Sequence, residues 1–360
     1  MIKYLGSKRT LVPRLVALAD AVREQSGAHT VADVFTGTTR VAQALKRRGF
    51  AVTANDLASY SEILATCYIA MDGSDAAAVR AIADKLQYLD ALPGHDGYVT
   101  RTFCEEARYF QPFNGRRIDA IRDALDGVAE GATERAVLLT ALLLAADRVD
   151  STTGLQMAYL KGWAPRSHQT MQLRMPELIA GTGTVFREDA NVLATQLAPV
   201  DIAYLDPPYN QHSYFSNYHV WETIVRHDAP EAYGVARKRV DCRTTKSAYN
   251  VRARAWTAFS ELVRALPARY CIVSFSNEGY FHYDDIVALL ESSHGEVAAM
   301  PVAFRRYVGA QIGIHNPRGE KVGTVSHLTN REFLFVAGPE AGAIVERAER
   351  GLLAGEPAAP

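Results

Sequence analysis

An acid, two prolines and an aromatic residue follow one another at Asp206-Pro207-Pro208-Tyr209, directly after the apolar run Ile202 to Leu205. The apolar run reads as a fully buried β-strand. The prolines donate no ladder hydrogen bonds, so they must end that strand in a fixed corner. Open α/β sheets bind their ligands at the carboxyl ends of parallel strands. At such a corner Asp206 offers a carboxylate, Pro207 a free backbone carbonyl and Tyr209 a flat ring. Two acceptors beside a stacking face suit a planar heterocycle that carries an exocyclic amino group. An ordinary strand-ending turn would account for the prolines but not for the acid and the ring that flank them.

A second constellation precedes it. Asp33-Val-Phe35-Thr-Gly37-Thr-Thr39 reads as a strand-to-helix turn that opens on an acid, with Gly37 allowing a tight bend and close approach of a ligand to the backbone. The dinucleotide fingerprint wants three glycines and this turn has one, which disfavours a pyrophosphate and suits a cofactor without phosphates. Asp56 closes the next strand 23 residues after Asp33, a spacing that places an acid to accept from ribose hydroxyls. Tyr4-Leu5-Gly6-Ser7-Lys8 contains Gly-Ser-Lys but lacks the upstream glycine and preceding strand of a phosphate-binding loop. After the proline corner, residues 237 to 254 hold seven basic residues against the single acid Asp241, in a chain whose net charge is -1. Such a local basic stripe, with Arg237, Lys238, Arg239, Arg243 and Lys246 at its centre, fits a grip on a nucleic-acid backbone.

These groups need a sheet to hold them. Val31 to Phe35 and Val52 to Ala54 read as strands around the helix Arg40 to Arg48, the βαβ opening of a nucleotide-binding sheet. A helix with Pro13 in its first turn comes before them. Strands resume at Gly183 to Arg187, Ile202 to Leu205 and Tyr270 to Phe275, with helices near Arg252 to Leu266 and Tyr283 to Glu291. The segments 302–309, 311–316, 321–326 and 331–337 alternate like antiparallel strands, with a hairpin signal at Asn316-Pro-Arg-Gly319. Residues 60–180 instead read as mostly helical, with Ala-rich periodic stretches at 75–92 and 116–147. No parallel crossover needs so long a helical excursion, so this is an inserted subdomain and the natural seat of substrate specificity. Arg101, Arg108, Asn114, Arg116, Arg117, Lys161, Arg166, His168, Gln169 and Gln172 within it could meet bases or phosphates. The division is 1–59 with 181–340 for the sheet, 60–180 for the insertion and 341–360 for a helix end and tail.

With 48% hydrophobic and 22% charged residues, the 360-residue chain has the composition of a soluble globular protein. Its four cysteines lack paired spacing and read as reduced, buried thiols, and no histidine pattern calls for a metal. The longest apolar stretch, Ala136 to Ala146, is too short to span a membrane and reads as a buried helix. The amino terminus carries no signal-peptide pattern, so a cytoplasmic location is expected.

Asp206-Pro-Pro-Tyr209 resembles the catalytic motif of amino-methyltransferases that use S-adenosylmethionine, most often those acting on N6 of adenine. Asp33-x-Phe35-x-Gly37 is similar to their Asp-x-Phe-x-Gly-x-Gly turn, with Thr39 in place of the second glycine. Tyr4-Leu-Gly6-Ser-Lys8 is similar to the amino-terminal motif of the Dam-like, D12-class adenine methyltransferases. The motifs occur in that family's order, which implies a Rossmann-like α/β sheet of the class I methyltransferases with a helical insertion for DNA recognition. The resemblance also assigns roles. Asp56 would hold the ribose of S-adenosylmethionine, Asp33 and Phe35 would sit by its methionine part, and Asp189 would contact its adenine. Tyr4, Gly6 and Lys8 would help to close over it.

The adenine amino group is a poor nucleophile because its lone pair is delocalised into the ring. Accepting its two hydrogens at Asp206 and the Pro207 carbonyl would let the nitrogen pyramidalise and face the methyl donor, with no metal and no covalent enzyme intermediate. The atom is inaccessible inside a duplex, so the base must rotate out, to be stacked by Tyr209 at roughly 1–3 kcal/mol. The expected activity is therefore site-specific adenine-N6 methylation of double-stranded DNA, by an enzyme either solitary or partnered with a restriction endonuclease acting on the same site. Two other readings stand beside it: an RNA base methyltransferase (adenine N6 or guanine N2), and a non-catalytic nucleic-acid-binding regulator. Cytosine-N4 enzymes more often carry Ser before the prolines, and protein-glutamine enzymes Asn.

Overall fold

Val31, Ala32 and Asp33 lie beside Ile202, Ala203 and Tyr204 in parallel register, so the two candidate motifs leave the sheet at the same edge. The computed structural model describes residues 2–4, 8–208, 211, 213–305, 314–315, 321–323 and 329–355. In chain order the strands are β1 (Thr30–Asp33), β2 (Ala51–Asn55), β3 (Thr184–Phe186), β4 (Val200–Leu205), β5 (Ala232–Tyr233), β6 (Lys238–Arg239), β7 (Ala268–Ser276), β8 (Val297–Arg305), β9 (Ile314–His315), β10 (Lys321–Gly323) and β11 (Thr329–Ala337). Seven of them form one sheet in the order β3-β2-β1-β4-β7-β11-β8. The first five of that order run parallel, and β11 runs antiparallel to both β7 and β8. This is the expected Rossmann-like α/β sheet.

The chain moves outward from β1 through β2 to β3, then returns across β1 to β4. The point of reversal is the crevice between β1 and β4, where such sheets open toward a ligand. α1 (Val12–Ser26) and α2 (Arg40–Arg47) cover one face of the sheet, with Leu15, Val22, Val41 and Leu45 buried against Val31, Val52 and Ile202. α7 (Ala190–Gln196), α10 (Arg252–Ala265) and α11 (Tyr283–His294) cover the other, through Leu193, Phe259 and Leu290.

The carboxyl-terminal end corrects the sequence reading. Residues 341–353, expected as a helix end and tail, form the helix α12 (Ala341–Leu353). Its apolar residues Ala341, Ile344, Val345 and Ala348 recur at helical spacing and are buried in the core that α1 shares. Arg347 reaches Glu24 at 3.3 Å and Gln25 at 3.1 Å on α1. Composition hid this stripe, because Ala, Gly and Glu dominate around it. The anticipated strands near the same end resolve into a long β8–β11 pair and a short β9–β10 pair. The hairpin at Asn316 to Gly319 lies outside the described residues.

Between β2 and β3 the chain is helical: α3 (Ser59–Ala65), α4 (Ala76–Asp90), α5 (Pro112–Val128) and α6 (Ala132–Val149). The stretch 116–147 is broken in two at Gly131, whose φ of 118° excludes it from a right-handed helix. α6 carries the apolar stretch Ala136 to Ala146, read from sequence as a buried helix, in the middle of a core. That core does not stop at the helices between β2 and β3. After a single turn, α8 (Tyr214–Asn217), the helix α9 (His219–Arg226) contributes Val220, Trp221, Ile224 and Val225 to it. Among the described residues no helix is long and apolar enough to cross a membrane, and all four cysteines are buried thiols.

Candidate active site

The strand β4 is buried as far as Leu205, and the corner that follows leaves the Asp206 side chain 19% exposed. Among the described residues, both polar contacts of its carboxylate fall on one oxygen. Lys8 Nζ stands 2.9 Å from Asp206 Oδ1, and Ser274 Oγ on β7 donates to the same oxygen at 3.0 Å. With its own hydrogen used in this way, Ser274 accepts from the Tyr204 hydroxyl at 3.0 Å. Lys8 also donates to Glu332 Oε1 on β11 at 2.6 Å. Among the described residues Oδ2 has no such partner, which leaves an acceptor at the cavity wall. Pro207 is buried, Pro208 lines the cavity, and Tyr209 lies outside the described residues, as does Gly6.

Asp33 ends β1 at 1% exposure. Thr36 donates to its Oδ2 at 3.0 Å, while Oδ1 is buried without a hydrogen-bond partner among the described residues. Burial pushes the Asp33 carboxyl up to about 7, against the pull of the Thr36 bond and with a smaller upward contribution from the charge of Asp206. An unpartnered carboxylate oxygen at this depth is a place for a cation or an ammonium group.

The turn after Asp33 is held from behind. Gly37 adopts φ 51°, and a Cβ there would meet the Tyr4 ring at 3.4 Å. The Gly37 N–H donates to Asp56 Oδ2 at 2.9 Å, and Asp56 Oδ1 accepts from the Ala58 N–H at 3.1 Å. Thr39 sits at φ 63° in the left-handed region, doing there what a glycine would do at no steric cost. Its hydroxyl accepts from Gln43 at 2.8 Å, and this bond helps to hold the turn. Phe35 meets Tyr249 edge-on at 5.1 Å. Asp189 caps α7 by accepting from the Asn191 N–H at 2.9 Å.

Tyr4, Lys8, Asp33, Phe35, Gly37 and Asp56 line one cavity of about 520 Å³, and so do Asp189 and Asp206. That is within the usual size of a small-molecule site. The strand ends bring into it residues far apart in sequence. Asn55 ties them together: its Nδ2 donates to Val34 O and Glu188 O, both at 3.1 Å, and its Oδ1 accepts from the Glu188 N–H at 3.0 Å. Asn55 was not among the candidates, nor were Ser274 and Glu332. Nothing in local pattern marks them, because their partners lie on other strands. Tyr214 was also unassigned. It stacks on Tyr4 with centroids 5.4 Å apart and lines the cavity.

The basic segment divides. Arg239 is corrected: at 1% exposure it faces no nucleic acid, since its guanidinium is held by Asp228 at 2.6 Å and Asp241 at 2.8 Å. Arg237 pairs with Glu106 of the insertion at 3.1 Å, and Arg243 lies over the Tyr233 ring at 4.1 Å. Lys238 is half-buried, and Lys246 is exposed next to Thr245 and Ser247 of the cavity rim. Tyr218 and His219 are buried packing residues, and His219 bonds the Gln156 carbonyl at 2.8 Å. Burial pushes that imidazole down to about 3, so it stays neutral. Asn114 is likewise internal, and Arg166 and Arg117 are paired with Asp150 and Asp90.

The family model for D12 class N6 adenine-specific DNA methyltransferases matches residues 4–275. The modification methylase StsI of Streptococcus sanguinis is 29% identical over 323 residues, covering 85% of this chain and 49% of that protein. The type II methyltransferase M.FokI of Planomicrobium okeanokoites is 30% identical over the same length, covering 48% of itself. M.NlaIII of Neisseria lactamica is 27% identical over 346 residues and is covered completely. The chain thus spans about half the length of the first two relatives and the whole of the third.

Proposed function

The chain belongs to the D12 class N6 adenine-specific DNA methyltransferase family, and from that membership we propose that it methylates N6 of an adenine rotated out of duplex DNA, with S-adenosylmethionine as donor. The observation that carries the reading is the single-oxygen anchoring of Asp206. With Oδ1 engaged by Lys8 and Ser274, Oδ2 is oriented to accept a hydrogen from a planar amine, and the Pro207 carbonyl accepts the other. Tyr209 stacks on the base. The amino nitrogen then gains pyramidal character and a directed lone pair.

The cavity fits the proposed donor on its own chemistry. The unpartnered Asp33 Oδ1 accepts an ammonium group, as an amino-acid head would supply. Asp56, fixed by two backbone N–H groups, accepts from ribose hydroxyls, and Asp189 faces the adenine. Tyr4 and Lys8 close the cavity, with Phe35 and Gly37 forming the wall next to the methionine part. When bound, S-adenosylmethionine supplies an electrophilic methyl group; the residues supply alignment and excess negative charge around it.

On this reading residues 1–59 and 181–340 carry the chemistry and 60–180 meet the target sequence. Arg243, Lys246, Lys238 and Arg237 hold phosphates. As the relatives are modification methylases, a restriction endonuclease acting on the same site is the proposed companion. The test is incubation of the pure protein and S-adenosylmethionine with methylation-free genomic DNA, followed by single-molecule mapping of modified bases. N6-methyladenine confined to one short motif is expected. Unmodified DNA alongside methylated RNA would replace the substrate, and no transfer to either would sink the catalytic reading.

A further inference from the structure

Glu332 has no part in the chemistry proposed so far, yet it is buried to 8% exposure beside Lys8, which lines the cavity. It lies on β11 opposite Ser276 of β7 and Val302 of β8, and among the described residues its charged contact in hydrogen-bond range is Lys8, at 2.6 Å. Lys8, also 8% exposed, divides its ammonium between Glu332 and Asp206, the latter at 2.9 Å. A buried charge is costly unless paired, so one cation between two carboxylates is an arrangement that needs a reason.

The reason lies in how strongly Asp206 can accept. An ammonium bearing wholly on Oδ1 would draw charge from the carboxylate and weaken its hydrogen bond to a substrate amine. A second carboxylate pulling on the same ammonium restores it. We infer that Glu332 is a positioning residue for methyl transfer, which holds Lys8 between two anions and so keeps Asp206 a strong acceptor for the target amino group. This rests on the reading of Asp206 given above.

The groups that face Glu332 are Lys8 of the amino-terminal segment, Asp206 after β4 and, across the strands, Ser276 of β7 and Val302 of β8; Ser274 and Tyr204 follow from Asp206, and Asp33 of β1 couples to it. Burial pushes the Glu332 carboxyl above its ordinary 4.5, the charge of Lys8 opposes this, and Asp206 adds to it. Acidification therefore neutralises Glu332, shifts more of the ammonium's charge onto Asp206 and slows transfer.

The experiment is single-turnover methylation across pH with donor and DNA saturating, for the wild type, Glu332→Gln, Glu332→Asp and Asp33→Asn, with S-adenosylhomocysteine affinity and unfolding measured on each. Glu332→Gln should lower the plateau roughly tenfold, the worth of one charge-assisted hydrogen bond, and abolish the acid limb, while S-adenosylhomocysteine affinity stays unchanged. Glu332→Asp should recover most of the rate, and Asp33→Asn should keep the limb. A Glu332→Gln enzyme with the wild-type plateau and limb overturns the inference, as does a limb lost in Asp33→Asn instead. If Glu332→Gln does not fold, the wild-type profile decides: a midpoint above 4.5 that persists in Asp33→Asn supports the role, and a flat profile ends it. A wild type that transfers nothing, or an active Asp206→Ala, would instead strike the reading beneath it.

Discussion

Two clusters of charge reach the same cavity and obey opposite rules. Around Asp206, among the described residues, there are three carboxylates, Asp33, Asp206 and Glu332, and one ammonium, Lys8. Around Arg239, among the described residues, there are two guanidinium groups and three carboxylates: Arg226 contacts Asp228 and Asp241, both at 3.1 Å, and the buried Glu222 at 3.9 Å, and Arg239 grips Asp228 and Asp241. The signs of titration follow. Burial holds Asp33 and Glu332 above the usual carboxylate range. Burial would push Asp241 up as well, but the hydrogen bond and charge of Arg239 bring it below that range. Carboxylates that each have a guanidinium within reach fasten one segment to another. Unbalanced charge is tolerated only where a ligand completes it, which is why the surplus of negative groups fits a cationic donor.

The largest effect that would test this contrast is at Asp206. Asp206→Ala should cut single-turnover methylation by roughly a thousandfold while S-adenosylhomocysteine binding changes by no more than about threefold. Retention of the rate would remove the distinction between the clusters.

Next comes the guanidinium cluster. Arg239→Ala leaves Asp228 and Asp241 facing Arg226 alone, and denaturant unfolding should record a loss of about 2–3 kcal/mol, discounted because both acids are partly exposed. Lys246→Ala should change stability by less than about 0.5 kcal/mol but weaken DNA binding and reduce its salt slope by about 1. Equal stability losses in the two variants would mean that burial does not separate structural from DNA-facing charge in this segment.

Asp33 gives a smaller, pH-dependent effect. Its folded carboxyl titrates near about 7 rather than 3.8, so the folded state holds a proton that the unfolded chain gives up. Stability of the ligand-free protein must then fall as pH rises through that window, and Asp33→Asn should flatten the slope in thermal unfolding. A wild-type midpoint that rises across the window would show that Asp33 is already paired.

The smallest lies outside both clusters. Thr39→Gly should release left-handed strain and stabilise the fold by about 0.5–1 kcal/mol, after the lost Gln43 bond is set against it. Destabilisation would place the hydroxyl bond above the strain.

What could be read in the sequence follows from distance along the chain. Asp33, Asp56 and Asp206 each stand at the end of an apolar run, so their place at the sheet edge is a local matter. Lys8 and Glu332 are 324 residues apart, and neither run of sequence refers to the other. Their meeting depends on β11 inserting next to β7, a tertiary event. Arg239 misled for the same reason: counting charge from 237 to 254 excludes Asp228, the residue that takes Arg239 inward. The helix at 341–353 was hidden in another way, since half of its buried stripe is alanine and Ala, Gly and Glu dominate around it.

The shared core of α6 and α9 has a consequence for inheritance. The helix that begins soon after the proline corner is buried against residues 60–180, through Trp221 and Ile224. A recombination event that exchanged only the excursion between β2 and β3 would leave that helix with a foreign groove to fill. Lineages of this architecture should therefore diversify by trading the excursion and α9 together, or by point substitution on the outer surface of the excursion. A designer grafting a new excursion would have to carry residues 219–226 with it.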